Sequence, residues 1–298
     1  MKQSVPSVRI RRQAYWMVFV IPALVIYLLF FIIPSLTAVW YSFTDWNGIH
    51  ADFIGLSNYI KMFSDYRMEI VLKNTVYYGV GIMLAQNVAG LFLALMLDRN
   101  LKTRNALRML FFMPIVFSPL VVTYIWNFIL EPNIGVFKHW SDITGLGFLA
   151  QNWLGEPKLA IFMIIFVKVW QGMGYNMVIY LAGLQTIPSE YYESAMIDGA
   201  RAWQRFKSIT FPLIAPTFTI NVILSSINSL KMFDTIYGLT GGGPGFSTHS
   251  IASMIYQVGF GKGSNWGYGA AMSVVMFLII FLISWVQTTV LKAREVDT

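Results

Sequence analysis

The chain has 298 residues, of which 56% are hydrophobic and 12% charged, and its mean hydropathy is +0.60. Soluble domains carry about a quarter charged residues, so this composition excludes an ordinary soluble fold and an intrinsically disordered chain. Cysteine is absent, which excludes disulfides, thiolate metal sites and cysteine nucleophiles. The formal net charge is +7, and in so apolar a chain it indicates membrane topology rather than nucleic acid binding. The composition predicts an integral membrane protein.

Six long stretches with at most one charged residue follow one another along the chain. A spanning helix needs about 20 apolar residues, and each stretch is long enough. A further uncharged stretch, 235–261, is rich in Gly, Ser and Thr and is not expected to span the membrane. The sequence therefore predicts an all-α membrane protein with six transmembrane helices, over 13–44, 74–97, 109–130, 159–189, 208–230 and 263–291.

The distribution of Lys and Arg predicts which helix ends face the cytoplasm. With a cytoplasmic N-terminus, thirteen of the 21 basic residues fall on inner segments, which places both termini in the cytoplasm. An uncleaved first span is expected, because the apolar run is too long for a signal peptide. We predict a basic cytoplasmic N-terminus at 1–14, a six-helix transmembrane domain at 15–292 and a cytoplasmic tail at 293–298, with an outer loop at 231–262.

The inner segment 186–212 begins as a short helix would begin. Pro188 disfavours the continuation of a preceding helix, and Ser189 after it is the expected N-cap of a new one. Glu190 and Glu193 then lie in the first turns, where the positive end of the helix dipole favours carboxylates. The segment is therefore expected to fold rather than to form an extended loop.

The same short helix has one recognisable face and a defined end. Tyr192, Ala195 and Met196 are spaced by three and four residues, and Gly199 accepts the left-handed conformation that closes helices. Two interpretations remain open on periodicity alone. The helix lies on the headgroups with Trp203 as an anchor, or it is a rigid projection that another protein grips. Acidic residues in a basic inner loop favour the projection, because anionic headgroups would repel them.

One run in this segment matches a known signature, namely Pro188, Glu190, Tyr192, Glu193, Ser194, Ala195, Asp198, Gly199, Ala200, Trp203, Gln204, Phe206, Ile209, Pro212 and Pro216. It resembles the EAA loop, which marks the permease subunits of binding-protein-dependent ABC importers. Ser194 replaces the first alanine of that motif, a change of one small residue for another. In that family the loop helix seats in a cleft of a cytoplasmic ATPase subunit. The resemblance implies that the ATPase-coupling residues are Tyr192, Glu193, Ser194, Ala195, Met196, Asp198, Gly199 and Ala200.

Two other segments resemble the sugar permeases of the same family. One contains Phe53, Gly55, Leu56, Asn58, Tyr59 and Phe63, and the other is the run 239–244, Leu-Thr-Gly-Gly-Gly-Pro, which resembles an outer loop of the maltose-type subfamily. The resemblance covers residues 15–292 and is to the first of the two permease subunits. It implies the type I (MetI-like) permease fold and a location in the bacterial inner (plasma) membrane, as a multi-pass protein among its lipids.

The resemblance also implies the partners. They are a second homologous permease, a dimer of ATPase subunits, an extracellular or periplasmic solute-binding protein and a saccharide. ATP and Mg²⁺ would be bound by the ATPase subunits, so no cofactor and no enzymatic activity are expected in this chain. The glycines at 241–243 are not followed by the Lys-Ser or Lys-Thr of a phosphate-binding loop.

A lysine lies within the fourth predicted span. A charge at that depth costs about 2.5 to 3.5 kcal/mol on insertion scales, so such residues usually face a polar cavity. Lys168, Gly172 and Tyr175 lie on one helical face, with Gln171 beside them. Snorkelling of Lys168 to an interface remains the alternative.

The fifth span has a polar face of its own, with Ser225, Asn228, Ser229 and Met232. Hydroxyl groups suit sugar binding, but small residues also suit helix packing, and the spacing does not decide between the two. By the resemblance, the maltose-type sugar contacts fall on Lys168, Gly172, Tyr175, Ser225, Ser229 and Met232. In this chain Lys168 and Met232 replace asparagines of the maltose permease. A lysine there suits an acidic saccharide, so the substrate is not expected to be maltose.

Two other classes of membrane protein fit the sequence less well. A self-sufficient secondary transporter normally has two related halves and intramembrane carboxylates, neither of which this short chain contains. An intramembrane enzyme needs a Ser, Asp or His constellation at membrane depth, which the spans do not offer. The predicted function is therefore that of a permease subunit of an ATP-driven, binding-protein-dependent importer of sugars or oligosaccharides.

Overall fold

The structure is a computed structural model, and it describes residues 19–99, 101–261 and 265–293. These residues are almost entirely helical, apart from turns and an isolated bridge between Thr44 and Phe53. The predicted N-terminal segment 1–14 lies outside the described residues, as does most of the predicted tail 293–298.

The helices follow the predicted apolar stretches, with shorter helices in the connections. In chain order they are α1 (Phe19–Tyr41), α2 (Ser57–Ser64), α3 (Tyr66–Leu97), α4 (Arg104–Val116), α5 (Pro119–Leu130), α6 (Val136–Thr144), α7 (Pro157–Leu184), α8 (Ser189–Ile197), α9 (Ala202–Leu213), α10 (Ala215–Leu230), α11 (Asp234–Thr240), α12 (Ile251–Phe260) and α13 (Trp266–Lys292).

The described helices differ in whether they can cross a membrane unbroken. By length and apolar composition α1, α3, α7 and α13 can each do so. The pairs α4–α5 and α9–α10 reach the required length only together, and they bend by 98° and 69°. Counting each bent pair as one span gives up to six. The prediction of a single helix over each of 109–130 and 208–230 is therefore corrected to a bent pair.

Prolines account for both bends. Pro119 is the first residue of α5, and Ser118 before it is extended, with ψ of 139°. Pro216 is the second residue of α10, and Ile214 ahead of that helix leaves the helical region, with φ of −89° and ψ of 4°. Proline lacks an N–H and its ring crowds the preceding turn, so Pro119 and Pro216 fit the first turn of a new helix better than the continuation of the one before.

One compact unit contains the described residues up to Met62 together with Val258–Val274. In it the buried Asn58 ties down the chain that leaves α1. Its Nδ2 donates hydrogen bonds to the carbonyl oxygens of Ser42 at 3.0 Å and Thr44 at 2.8 Å. The asparagine of the sugar-permease segment thus satisfies backbone acceptors that would otherwise be buried without a partner.

The second unit contains Phe63–Gln257 and the described part of Val275–Thr298. In this unit α3 packs against both α7 and α10, and α5 packs against α11. Two hydrophobic clusters lie at different heights along α3. The cluster nearer α11 includes Tyr78, Ile82, Val122, Trp126, Val167 and Ile236, and the cluster nearer α8 includes Ala94, Leu97, Met177, Tyr180, Leu184 and Ile214.

The segment between α11 and α12, within the predicted outer loop 231–262, is packed against α3. Asn74 Nδ2 donates to the carbonyl oxygens of Ser247 at 2.7 Å and His249 at 3.1 Å. The Tyr78 hydroxyl donates to the carbonyl oxygen of Thr248 at 2.9 Å. The glycine-rich sequence is therefore an ordered structure whose backbone is held by side chains of α3.

His249 is the buried titratable group of this segment. It is 3% exposed, and its Nδ1 lies 2.9 Å from Ser253 Oγ. Burial lowers the pKa of its imidazole, because the charged form loses its hydration. The folded segment therefore favours the neutral form of the His249 imidazole.

We expect the folded protein to lose stability as pH decreases from about 6.5, the pKa of an unperturbed histidine. The pKa of His249 is lowered in the folded state, so below that pH the unfolded chain binds more protons than the folded one. Thermal unfolding of the detergent-solubilised protein between about pH 7.5 and about pH 5.5 measures this slope. His249→Gln should flatten it, and His139→Gln on the exposed face of α6 is the control. An unchanged slope in His249→Gln would contradict the assignment.

Candidate functional site

A cavity of about 330 Å³ lies among α3, α7 and α10 and extends to the start of α11. Cavities that bind small molecules run from about 300 to 1,000 Å³, so this one is large enough for part of a sugar chain. Its polar lining is unusual inside an apolar bundle, and it consists of Gln86, Lys168, Tyr175, Asn176, Ser225, Asn228, Ser229, Lys231, Asp234 and Thr235.

Most of the predicted pathway residues meet at this cavity. Those that line it are Lys168, Gly172, Tyr175, Ser225, Asn228, Ser229 and Met232. Gln171 instead lies behind Lys168, with its Oε1 3.4 Å from Lys168 Nζ and its Nε2 3.3 Å from the carbonyl oxygen of Phe117. The polar faces that the sequence predicted separately on α7 and α10 therefore line one site.

The charged groups of the cavity are two lysines and one aspartate. Lys168 is half-buried in the wall, whereas Lys231 and Asp234 are exposed at the end of α10 and the start of α11. The Asp234 carboxylate is close enough for its charge to act on Lys168. An ammonium group on a half-buried wall, only partly balanced by one carboxylate, favours an anionic or hydroxyl-rich ligand.

The two serines of the predicted site use their hydroxyl groups to join helices. Ser225 Oγ donates to the carbonyl oxygen of Asn221 at 2.6 Å and accepts from Asn87 Nδ2 at 2.6 Å. Ser229 Oγ lies 3.2 Å from the carbonyl oxygen of Gly79. Both serines are almost fully buried. Ser225 and Ser229 therefore both have the helix-packing role, which the spacing in the sequence did not decide.

The side chains that reach into the cavity are larger ones. Tyr175 and Asn228 are exposed, and Phe233 lines the cavity near its α11 end. An aromatic ring can lie against the C–H face of a sugar, and an amide supplies both a donor and an acceptor for hydroxyl groups. Together with Lys168 these residues offer the chemistry that a saccharide requires.

Gly172 has a structural reason for being glycine. A Cβ at this position would collide with the side-chain amide of Gln86 on α3. Gln86 Nε2 in turn donates to the carbonyl oxygen of Lys168 at 2.8 Å. Gly172 therefore leaves room for the Gln86 amide, whose hydrogen bond joins α3 to the backbone that carries Lys168.

Some lining residues were not among the predicted site residues. Gln86 lies on α3, whereas the two predicted polar faces lie on α7 and α10, and Lys231 and Asp234 follow the end of α10. A buried amide within an apolar span is the signal that could have identified Gln86.

The predicted coupling helix is α8, and its C-terminus has the expected geometry. Gly199 has φ of +73°, Ala200 N–H donates to the Ala195 carbonyl oxygen at 2.9 Å, and Gly199 N–H donates to that of Met196 at 3.1 Å. These two bonds form a Schellman motif, in which glycine takes the left-handed position. The predicted role of Gly199 as the helix terminator is confirmed. The predicted N-cap is wrong by one residue, because the cap is Pro188 and Ser189 is already helical.

One face of α8 packs against α9, and another face is exposed. The Tyr192 hydroxyl lies 3.0 Å from Thr210 Oγ1 of α9, and Ala195 is half-buried like Tyr192. Met196 is 53% exposed and Ile197 is 88% exposed. Ile197 was not predicted, because it falls outside the face defined by Tyr192 and Ala195. The remaining predicted coupling residues are exposed or half-buried at the surface of the loop, namely Glu193, Ser194, Asp198, Gly199 and Ala200.

Comparison with known proteins agrees with this architecture. The chain is 38% identical over 284 residues to the probable starch degradation products transport system permease protein AmyD of Thermoanaerobacterium thermosulfurigenes, covering 95% of each chain. It is 34% identical over 288 residues to the multiple sugar-binding transport system permease protein MsmF of Streptococcus mutans, covering 95% of this chain and 97% of that one.

A solved structure with the same fold is that of a bacterial ABC transporter involved in the import of the acidic polysaccharide alginate. Its matching chain has a TM-score of 0.85 and 22% sequence identity, and the match covers 96% of this chain and 97% of that one. This likeness confirms the predicted MetI-like permease fold. Residues 86–295 match the family model described as binding-protein-dependent transport system inner membrane component. The chain therefore belongs to the family of inner membrane permease components of binding-protein-dependent transport systems.

Proposed function

We propose that this chain is the first permease subunit of an ATP-driven importer of saccharides and that it carries an acidic oligosaccharide. The observation that carries the proposal is the polar cavity of about 330 Å³ with Lys168 in its wall. The relatives are named for the transport of starch degradation products and of multiple sugars, and the structural neighbour for the import of an acidic polysaccharide. Membership of the family argues against the alternative of a self-sufficient secondary transporter.

The proposed mechanism is alternating access. A solute-binding protein delivers the saccharide to the outer side, where the mouth of the cavity carries Lys231 and Asp234. The helices then rock so that the cavity opens toward the cytoplasm. This chain contributes half of the pathway, and a second, homologous permease contributes the other half. The exposed apolar surface of α1 supports the presence of a partner or lipid around it, since the described residues bury none of its most apolar stretch.

The energy for this movement comes from a cytoplasmic ATPase dimer that binds ATP and Mg²⁺. We propose that α8 is the contact with that dimer. Its support is the exposed apolar pair Met196 and Ile197 beside the carboxylates of Glu193 and Asp198, on a short helix with a rigid terminus. The apolar pair suits a protein cleft, and the two carboxylates do not suit an anionic membrane surface.

The proposed orientation places α8 and both termini in the cytoplasm. Its support is the basic surface on the same side of the chain, where Arg205 and Lys207 follow α8 and Arg99 and Arg108 lie between α3 and α5. Arg108 also donates to the carbonyl oxygen of Leu97 at 2.8 Å, which joins α4 to the end of α3. Positively charged loops are retained on the cytoplasmic side of membranes.

One experiment tests the proposed function as a whole. The chain is expressed with its candidate partner subunits, extracted in detergent and reconstituted in vesicles with the purified binding protein. We expect a second permease and an ATPase to copurify, and ATP-dependent uptake of a defined acidic oligosaccharide to exceed uptake of its neutral counterpart. ATP-independent uptake by this chain alone would contradict the proposal.

A further inference from the structure

A cluster of buried polar side chains joins three helices on the α8 side of the cavity. The Tyr180 hydroxyl of α7 donates to Asn87 Oδ1 of α3 at 2.6 Å, and Asn87 Nδ2 donates to Ser225 Oγ of α10 at 2.6 Å. Tyr180 follows Lys168 by twelve residues, which places it about 18 Å further along α7 at 1.5 Å per residue. The cluster therefore joins the three helices next to the cavity, from Ser225 in the cavity wall to Tyr180 on the α8 side.

Two asparagines connect this cluster to the cavity. Asn176 lines the cavity, and Asn221 Nδ2 of α10 donates to the Asn176 carbonyl oxygen at 3.2 Å. Asn176 is 4% exposed and Asn221 is 1% exposed. Asn176 Nδ2 and Asn221 Oδ1 are nevertheless buried without a hydrogen-bond partner. One unsatisfied donor and one unsatisfied acceptor thus belong to neighbouring residues.

These two unpaired atoms require an explanation. A buried polar group without a partner is costly, and more so in a membrane bundle that water does not enter. A hydroxyl group is the complement of this pair, since it accepts from an amide N–H and donates to an amide oxygen. Saccharides and water both carry that group.

We propose that Asn87, Asn176, Tyr180, Asn221 and Ser225 form a second, deeper binding site for the hydroxyl groups of a saccharide moving toward the cytoplasm. This inference rests on the proposed function. In this structure, the hydrogen bonds among Tyr180, Asn87 and Ser225 hold the site closed. When the helices separate, Asn176 Nδ2 donates to a passing hydroxyl group and Asn221 Oδ1 accepts from it.

The test uses Asn221→Leu in the reconstituted complex. Leucine has a similar volume and no polar atoms, so the closed state loses both the unpaired oxygen and the hydrogen bond from Asn221 Nδ2 to the Asn176 carbonyl oxygen. These two changes offset each other, and the thermal stability should stay nearly the same. The maximal rate of ATP-driven uptake should fall about three- to tenfold, the factor expected for one neutral hydrogen bond. The fall should be equal for neutral and acidic oligosaccharides, because Asn221 carries no charge and lies away from Lys168. The substrate concentration for half-maximal uptake should not change.

A matched control lies on the same helix. Thr219 of α10 is 4% exposed, and its Oγ1 bonds the carbonyl oxygen of Ala215 in its own helix at 3.1 Å. Thr219→Val removes a buried polar group outside the cluster and should leave uptake unchanged. Normal uptake by Asn221→Leu, or an equal loss in Thr219→Val, would overturn the proposal.

A second measurement separates the saccharide from water and does not depend on the leucine variant. The natural chain contains no cysteine, so Asn221→Cys introduces a unique thiol into it. A small hydrophilic thiol reagent should label it during ATP-driven turnover and not in the resting complex. Absence of labelling during turnover would overturn the proposal, and labelling combined with normal uptake by Asn221→Leu would assign the site to water alone. A wild-type complex that takes up no saccharide would overturn the proposed function and this site together.

Discussion

Uptake of an acidic oligosaccharide should fall at least about tenfold further than uptake of a neutral one in Lys168→Met. Methionine keeps most of the side-chain volume and removes the ammonium group from the cavity wall. A hydrogen bond to a charged partner contributes about 1.5–3 kcal/mol, which is tenfold or more in affinity. The measurement is ATP-driven uptake by reconstituted vesicles, with both substrates at concentrations below saturation.

Two further variants make this result specific to the cavity. Lys158→Met changes an exposed lysine near the start of the same helix, does not touch the cavity, and should leave the substrate preference unchanged. Asp234→Asn removes the carboxylate that acts on Lys168 and should strengthen the preference for the acidic substrate. Equal losses for both substrates in Lys168→Met would discard the acidic saccharide and leave a general sugar permease.

Replacing Gly199 by valine should nearly abolish ATP-driven uptake while leaving membrane insertion intact. The φ of +73° costs a non-glycine residue roughly 1–2 kcal/mol, and more for a β-branched one. Open space surrounds the position, so the effect comes from the backbone and not from a collision. Relief of that strain would break the two terminal bonds of α8 and change the direction in which the chain leaves the helix. Uptake and binding-protein-stimulated ATP hydrolysis measure the result.

The chain provides a control with the same backbone geometry. Gly145 ends α6 with φ of +72°, and open space surrounds it as well. Gly145→Val therefore carries the same strain outside the coupling loop and should retain uptake. Unimpaired uptake in Gly199→Val, or equal losses in both variants, would contradict the coupling role of α8.

The apolar runs predicted the positions of the long helices because a membrane selects for them directly. Residues 74–97 and 159–189 correspond to most of α3 and α7. The bends could not be predicted with the same rule, because hydropathy averages over a window and ignores which residue is proline. Pro119 and Pro216 were present in the sequence, but their effect depends on neighbouring helices that can accept the freed backbone groups.

The sequence predicted most of the residues that line the candidate site, but only partly what each of them does there. Lys168 and Tyr175 stood out because a charge and a polar cluster are rare in a span. Ser225 and Ser229 matched the same pattern, yet their hydroxyl groups bond to Asn87 and to the backbone of α3. A serine suits either role in the sequence, and the distance to the next helix decides which one it takes.

The sequence by itself determined that the chain lies in a membrane, which stretches can span it, and that Gly199 ends a short helix, because each depends on residues that are close in the chain. Only the tertiary structure decided that α3, α7 and α10 enclose one polar cavity and that Asn176 and Asn221 hold unpaired atoms beside it. Those features depend on side chains that are far apart in the chain, such as Asn87 of α3 and Ser225 of α10, which are 138 residues apart. Packing between helices fixes such distances, and no local pattern encodes them.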